Sequence, residues 1–105
     1  MAVKVITNND TTELDAAKIA LLDVFATWCG PCKAIAPIVE ELSEEFADKV
    51  EFFKADADEN GELAKKLRVM SIPNLVLFKE GKIASRHVGF QDADELKTWF
   101  TSEIQ

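Results

Sequence analysis

The chain has 105 residues, and its twelve Lys and Arg against nineteen Asp and Glu give a formal net charge of −7 at pH 7. This length suits one domain over residues 1–105, while the acidic balance excludes a nucleic-acid partner, which would require a basic surface. No stretch approaches the roughly 18 apolar residues that cross a bilayer, and residues 1–5 lack the features of a signal peptide, so we expect a cytoplasmic protein with no membrane partner.

The first half of the chain predicts alternating strands and helices. Residues 3–6 and 19–26 are predicted strands, and the second is apolar enough to be a central strand covered on both faces. Residues 10–17 predict a short helix between them. A longer helix from Pro31 follows, and Pro37 within it is expected to cause a kink. Its apolar residues recur at helical spacing, at Ile35, Ile38, Val39, Leu42 and Phe46.

The next segment continues the alternation. Residues 50–56 predict a strand of mostly apolar residues. Asp58 is predicted to cap a helix that carries Leu63 and Leu67, four positions apart. Another predicted strand, residues 74–79, comes directly after a proline.

A hairpin and a helix are predicted to end the chain. Glu80–Gly81 is a two-residue sequence typical of a tight turn, and it joins the preceding strand to residues 82–88. Asp92 and Glu95 resemble a capping box for the last helix. That helix is predicted to bury Leu96, Trp99, Phe100 and Ile104. The order of elements predicts an α/β fold with a mixed sheet of about five strands and about four helices on its two faces.

The only two cysteines, Cys29 and Cys32, follow the predicted central strand at its carboxyl end, where open α/β sheets place their sites. In a reducing compartment such a closely spaced pair indicates a metal site or a redox couple. A tetrahedral zinc site needs four ligands, and His87 is the only other soft donor, so a metal would require a second chain. The pattern therefore favours a redox couple, with no metal ligands expected.

The start of the predicted helix makes the two thiols unequal. Pro31 suits a first helical turn, where unpaired N–H groups and the helix dipole favour a thiolate. Cys32 continues the buried stripe toward Ile35, whereas Cys29 precedes the helix and is expected to face outward beside Trp28. We therefore expect Cys29 to attack a substrate disulfide and Cys32 to release the reduced substrate by attacking Cys29.

Asp23 is the candidate base for Cys32. A lone carboxyl group in an apolar strand is costly to bury in its charged form, so its pKa is expected to be raised into a useful acid–base range. Its position near the strand end allows proton exchange with Cys32 directly or through water. Lys54, in a strand of Phe and Ala residues, is the expected cationic neighbour. The alternatives are a satisfied polar residue at position 23 and a surface lysine at position 54.

Residues 21–33 (LLDVFATWCGPCK) resemble the active-site segment of the thioredoxin family. Residues 35–37 (IAP), 69–73 (VMSIP) and 88–90 (VGF) resemble other segments of the family in the same order and spacing. The likeness covers essentially the whole chain. It implies a single thioredoxin domain and a protein-disulfide reductase, a thiol–disulfide oxidoreductase that acts through Cys-Gly-Pro-Cys.

The resemblance also implies the roles of residues around the thiols. It implies a nucleophilic Cys29, a resolving Cys32, and an acid–base Asp23 coupled to Lys54. It further implies a cis peptide bond at Ile72–Pro73 packed against the sulfurs. The implied substrate groove consists of Trp28, Gly30, Pro31, Ile72, Pro73 and Gly89.

The family further implies no bound cofactor, disulfide-containing client proteins, and re-reduction by a flavin-containing thioredoxin reductase with electrons from NADPH. We expect a monomer. Two alternatives stay open, an oxidase or isomerase of the same fold and a non-catalytic module that uses the Trp28 surface as an interface. Three features depart from the family pattern: Phe25 replaces a second Trp, Asn74 replaces Thr beside the groove, and the segment before Leu21 is short enough to abbreviate the first helix.

Overall fold

The structure, a computed structural model, describes residues 2–105. Its elements are β1 (Val3–Val5), α1 (Thr12–Ala16), β2 (Ile19–Phe25), α2 (Gly30–Glu45), β3 (Glu51–Asp56), α3 (Gly61–Lys66), β4 (Asn74–Lys79), β5 (Lys82–Val88) and α4 (Ala93–Glu103). The sheet has the order β1-β3-β2-β4-β5. β1 and β2 pair with β3 in parallel, whereas β4 pairs antiparallel with β2 and β5. The predicted mixed sheet is therefore confirmed.

The central strand β2 contributes to a core on each face of the sheet. Leu22 and Val24 pack in one core with apolar residues of α1 and α3, while Leu21 packs in the other with α2 and α4. All of these β2 side chains are almost completely buried. Burial of one such side chain stabilises the fold by roughly 1.5–3 kcal/mol. β2 is therefore a stable support for the residues that follow its carboxyl end.

The long helix α2 begins directly after that end of β2. Its N-cap is Cys29, one residue before Gly30, and Pro31 occupies the first turn as predicted. The buried stripe of α2 packs against the sheet. It includes Ile35, Val39 and Leu42. Because Cys32 lies one turn before Ile35, the same stripe turns Cys32 inward.

The predicted cap of α3 is wrong. The helix begins at Gly61 after Asn60, and Leu67 follows its last turn instead of lying within it. Asp58 lies in the turn after β3, where its Oδ2 accepts a hydrogen bond of 2.9 Å from Nε1 of Trp28. The carboxylate that the sequence assigned to a local helix cap is therefore used by a residue thirty positions earlier.

The hairpin and the last helix have their predicted positions. Glu80 and Gly81 both have positive φ, 53° and 76°, as a two-residue hairpin turn of type I′ requires. Asp92 caps α4 by accepting a hydrogen bond of 2.9 Å from the N–H of Glu95. The five residues of α1 agree with the expected abbreviated first helix.

Candidate active site

Cys29 and Cys32 lie where β2 passes into α2, bonded to each other as a disulfide with their Cα atoms 5.3 Å apart. As the N-cap of α2, Cys29 accepts a hydrogen bond of 3.2 Å from the main-chain N–H of Cys32 to its Sγ. The positive end of the helix dipole also points toward this sulfur. Both features favour negative charge on Cys29 when the disulfide is reduced.

The prediction that Cys29 faces outward is wrong for this disulfide form. Cys29 is only 5% exposed and Cys32 only 3%, and both belong to one small cluster against which Phe25 and Ile72 pack. The bonded sulfurs cover each other, and Ile72 from a distant segment covers them further. The two sulfurs are therefore buried to a similar extent. They differ in their neighbours, because Cys32 lines a cavity with Asp23.

One side of the predicted groove lies at the surface around the helix start. Trp28 is 70% exposed, and its indole is held by the hydrogen bond to Asp58. Gly30 and Pro31 are exposed beside it. These residues form a rim of apolar and main-chain surface next to the buried disulfide.

The remaining residues of the predicted groove are Ile72, Pro73 and Gly89. The Ile72–Pro73 peptide bond is cis, as the resemblance implied, and the carbonyl of Pro73 accepts a hydrogen bond of 2.8 Å from the N–H of Gly89. Gly89 has a φ of 93°, which favours glycine. Within residues 2–105 the main-chain N–H and C=O of Ile72 have no hydrogen-bond partner.

Asp23 is buried in β2 directly beside Lys54 of β3. Burial raises the pKa of Asp23 to about 7, and the positive charge of Lys54 opposes this rise in part. The raised pKa predicted from the apolar strand is therefore confirmed. The two side chains do not form an ion pair in the described part of the chain, and Oδ1 of Asp23 has no hydrogen-bond partner there.

An open cavity of about 260 Å³ connects Asp23 with Cys32. Its lining residues are Asp23, Phe25, Ala26, Thr27, Cys32, Lys33, Ala36 and Lys54. A water molecule takes a share of about 30 Å³ in the liquid, so the cavity can hold water between the carboxyl group and Cys32. The structure thus brings Asp23, Cys32 and Lys54 to one cavity, and Ile72 of the predicted groove packs against the cysteines.

Among residues 2–105, no group of three or more His, Cys, Asp or Glu side chains is placed to hold a metal ion. His87 lies on β5 and packs against the ring of Trp99, with the ring centroids 5.7 Å apart. None of the described helices is long and apolar enough to span a membrane.

Sequence reasoning missed two polar residues near the site. Asp58, which was predicted as a helix cap, holds Trp28 instead. Arg86 was not singled out at all, although its guanidinium donates a hydrogen bond of 2.8 Å to the carbonyl of Leu67. Both contacts join segments far apart in the chain, so no local sequence signal points to them.

Comparisons with known proteins agree with this arrangement. The thioredoxin family model matches residues 2–102. Thioredoxins of Staphylococcus haemolyticus and Staphylococcus aureus are each 44% identical over 96 residues, which cover 91% of this chain and 92% of theirs. The thioredoxin structure of Malassezia sympodialis has a TM-score of 0.87 at 33% identity, covering 100% of this chain and 96% of that one. A mutant thioredoxin of Halobacterium salinarum NRC-1 gives 0.85 at 36% identity, covering 98% and 91%.

The mixed sheet and the disulfide at a helix start define a thiol–disulfide oxidoreductase. The chain belongs to the thioredoxin family, and it acts by dithiol–disulfide exchange through its Cys-Gly-Pro-Cys segment.

Proposed function

We propose that this protein reduces disulfide bonds of client proteins in the cytoplasm, with Cys29 as the attacking thiolate. The observation that carries the assignment is the hydrogen bond from the N–H of Cys32 to Sγ of Cys29 at the start of α2. This N–H and the helix dipole stabilise negative charge on Cys29, and no comparable donor faces Cys32 in the described residues. The thiolate is the nucleophilic form, so Cys29 attacks first.

The reaction consists of two exchanges. The thiolate of Cys29 attacks one substrate sulfur, the other substrate sulfur leaves as a thiolate, and a mixed disulfide forms. Cys32 then loses its proton and attacks Sγ of Cys29, which releases the remaining substrate sulfur. The substrate gains two electrons, its two thiolates take up protons from the solvent, and the Cys29–Cys32 disulfide is the oxidised product.

Asp23 is the proposed acceptor of the proton that Cys32 loses. Its unpaired Oδ1 and the cavity that it shares with Cys32 provide a route through water. With a pKa of about 7, the carboxyl group is present in both protonation states near neutral pH, as an acid–base catalyst requires. Lys54 keeps this pKa from rising further and so maintains the carboxylate.

An extended segment of the client is proposed to bind in the groove beside the disulfide. The free N–H and C=O of Ile72 can pair with the main chain of this segment, as in strand addition to a sheet edge. The surfaces of Trp28 and Pro31 contact it from the other side, and Gly30 and Gly89 leave room because no side chain projects from them. Main-chain pairing at Ile72–Pro73 depends little on client sequence, which suits a reductase with several clients.

The oxidised protein must be reduced again before the next cycle. Family membership supports a flavin-containing thioredoxin reductase as this partner, with NADPH as the electron source. We propose that the chain itself works as a monomer with no bound cofactor. Its two thiols carry the electrons.

The test is reduction of insulin disulfides by the protein with a thioredoxin reductase and NADPH. We expect turnover by the wild type, none by Cys29→Ser, and accumulation of a mixed disulfide through Cys29 in Cys32→Ser. Urea unfolding of both variants and of the reduced wild type controls for loss of the fold. Turnover by Cys29→Ser would reassign the nucleophile, and an inactive wild type would overturn the proposed reductase.

A measured reduction potential separates the reductase from an oxidase or isomerase of the same fold. A value of about −270 mV supports a reductase, whereas a value of about −180 mV or higher supports an isomerase or oxidase. A non-catalytic binding module would keep its binding after both cysteines are replaced by serine.

A further inference from the structure

Arg86 on β5 reaches across β4 to the segment 67–74, which includes Ile72 and Pro73 of the proposed groove. Its Nη2 donates a hydrogen bond of 2.8 Å to the carbonyl of Leu67, and its Nη1 donates one of 3.5 Å to Oδ1 of Asn74. The buried Asn74 in turn donates from Nδ2 to the carbonyl of Ser71 at 3.4 Å. One guanidinium therefore connects β5 to both ends of this segment.

The register of the sheet explains how Arg86 reaches both acceptors. Val76 of β4 pairs with Arg86, which places Asn74 diagonally opposite Arg86 on the same face of the hairpin. Val76 belongs to the core that contains residues of α3. Since α3 ends just before Leu67, the carbonyl of Leu67 lies within reach of a long side chain on this face.

The main chain of the segment 67–74 is fixed only near its two ends. At one end the N–H of Val69 donates to the carbonyl of Ala64 at 2.9 Å, and at the other the carbonyl of Pro73 accepts from Gly89 at 2.8 Å. Residues 70–72 form no main-chain hydrogen bond with another main-chain group of the described chain. Side-chain contacts must therefore set the path between the two ends.

The guanidinium of Arg86 is well suited to this role. Within residues 2–105 it forms no ion pair, so its donors serve neutral oxygens only. Hydrogen bonds from a charged donor are stronger than neutral ones, and the planar fork of Arg can hold two acceptors at once. Without Arg86, the buried Oδ1 of Asn74 would have no partner in the described chain, and leaving such an atom unpaired is unfavourable.

We propose that Arg86, together with Asn74, is a positioning residue for substrate binding. It holds the segment 67–74 so that Ile72 presents its free main-chain groups beside the disulfide. Arg86 contacts no reacting atom, so its effect falls on the binding of the client and not on thiol exchange. The inference rests on the proposed pairing of an extended client with Ile72.

The kinetic test compares Arg86→Met with Lys82→Met, a loss of positive charge at an exposed position of the same strand. We expect Arg86→Met to raise KM for insulin at least about threefold while kcat changes less than about twofold, and Lys82→Met to change neither. Arg86→Lys retains a donor for one of the acceptors, so we expect a KM between those of the wild type and Arg86→Met. Unchanged KM in Arg86→Met, or an equal change in Lys82→Met, would overturn the inference.

Amide hydrogen exchange tests the same inference without any activity. We expect Arg86→Met to speed exchange of the Val69 and Gly89 amides about tenfold, while the amide of Leu22 in β2 keeps its wild-type rate. Equal acceleration of all three amides would reveal general destabilisation and overturn the inference, as would no change in Val69 and Gly89. An insulin assay that fails for the wild type would overturn the proposed function instead.

A second variant keeps the test decisive if Arg86→Met does not fold. Asn74→Leu removes both polar atoms of the Asn74 side chain and keeps a similar size. The main-chain amides of Val69 and Gly89 should then exchange about threefold faster. Combining Asn74→Leu with Arg86→Lys should accelerate this exchange by less than the sum of the two single effects, because both changes weaken one hydrogen-bond network. Additive effects would show that the two residues act separately and would overturn their joint role.

Discussion

The buried carboxyl group of Asp23 makes the stability of this protein depend on pH. Its pKa rises from 3.8 to about 7, chiefly because burial disfavours the charged form. Between these values the folded chain holds a proton that the unfolded chain has lost. The stabilisation from this proton is complete below about pH 4 and is lost as the pH rises through about 7. At 1.36 kcal/mol per pKa unit, the loss amounts to about 4 kcal/mol.

Replacing Asp23 by Asn should remove this dependence, because the amide is neutral at every pH and has nearly the same size. Any cost of burying the amide is constant with pH. The free energy of unfolding of the variant minus that of the wild type should therefore be about 4 kcal/mol larger at about pH 8 than at about pH 4.

The assay is urea unfolding of the disulfide form of both proteins at about pH 4.5, 6 and 8. Asp48→Asn is the matched control, since it makes the same charge change at an exposed position. Its difference from the wild type should vary little over this range. A difference between Asp23→Asn and the wild type that is constant with pH would refute the reasoning.

Three further changes test particular contacts. Lys54→Met should raise the pKa of Asp23 above about 7, because Lys54 now lowers it; an unchanged carboxyl titration by NMR would contradict this. Arg68→Gly should raise the free energy of unfolding by about 0.5–1 kcal/mol, since Arg68 has a φ of 57°; urea unfolding that shows a loss would contradict it. Asp92→Ala should lower that free energy by about 1 kcal/mol through loss of the α4 cap, and an unchanged unfolding midpoint would argue against the cap.

The parts of the fold that the sequence predicted well have local causes. The hairpin follows from Glu80–Gly81, whose two residues adopt the positive φ that the turn requires. The α4 cap follows from Asp92, only three residues from its partner. Asp58 shows the limit of such reasoning, because its capping preference is local while its actual partner, Trp28, lies in a different segment. Capping patterns therefore predict helix starts only where no distant donor competes for the side chain.

The same distinction explains what was predicted of the active site. The raised pKa of Asp23 follows from its own apolar strand, and the helix start at Cys29 follows from the adjoining Pro31. The burial of Cys29 depends on Ile72, which comes from a distant segment of the chain. The contacts of Arg86 depend on the register of β4 and β5. Neither of these last two features has a signal within a short stretch of sequence.

The stability lost at Asp23 and its proposed role in proton transfer have one cause. A thiol has an ordinary pKa of about 8.5, so passing its proton to a carboxylate of pKa 3.8 is uphill by about 6 kcal/mol. Raising the carboxyl pKa to about 7 reduces this to about 2 kcal/mol. The reduction equals the stability that burial removes, because both measure the same unfavourable charge in the core. Asp23→Asn should therefore gain stability relative to the wild type as the pH rises from about 4 to about 8. The same variant should be slower in the attack by Cys32, measured as slower decay of the mixed disulfide in stopped-flow experiments. A variant that gained the stability and kept the wild-type decay rate would separate the two effects and remove Asp23 from the proton path.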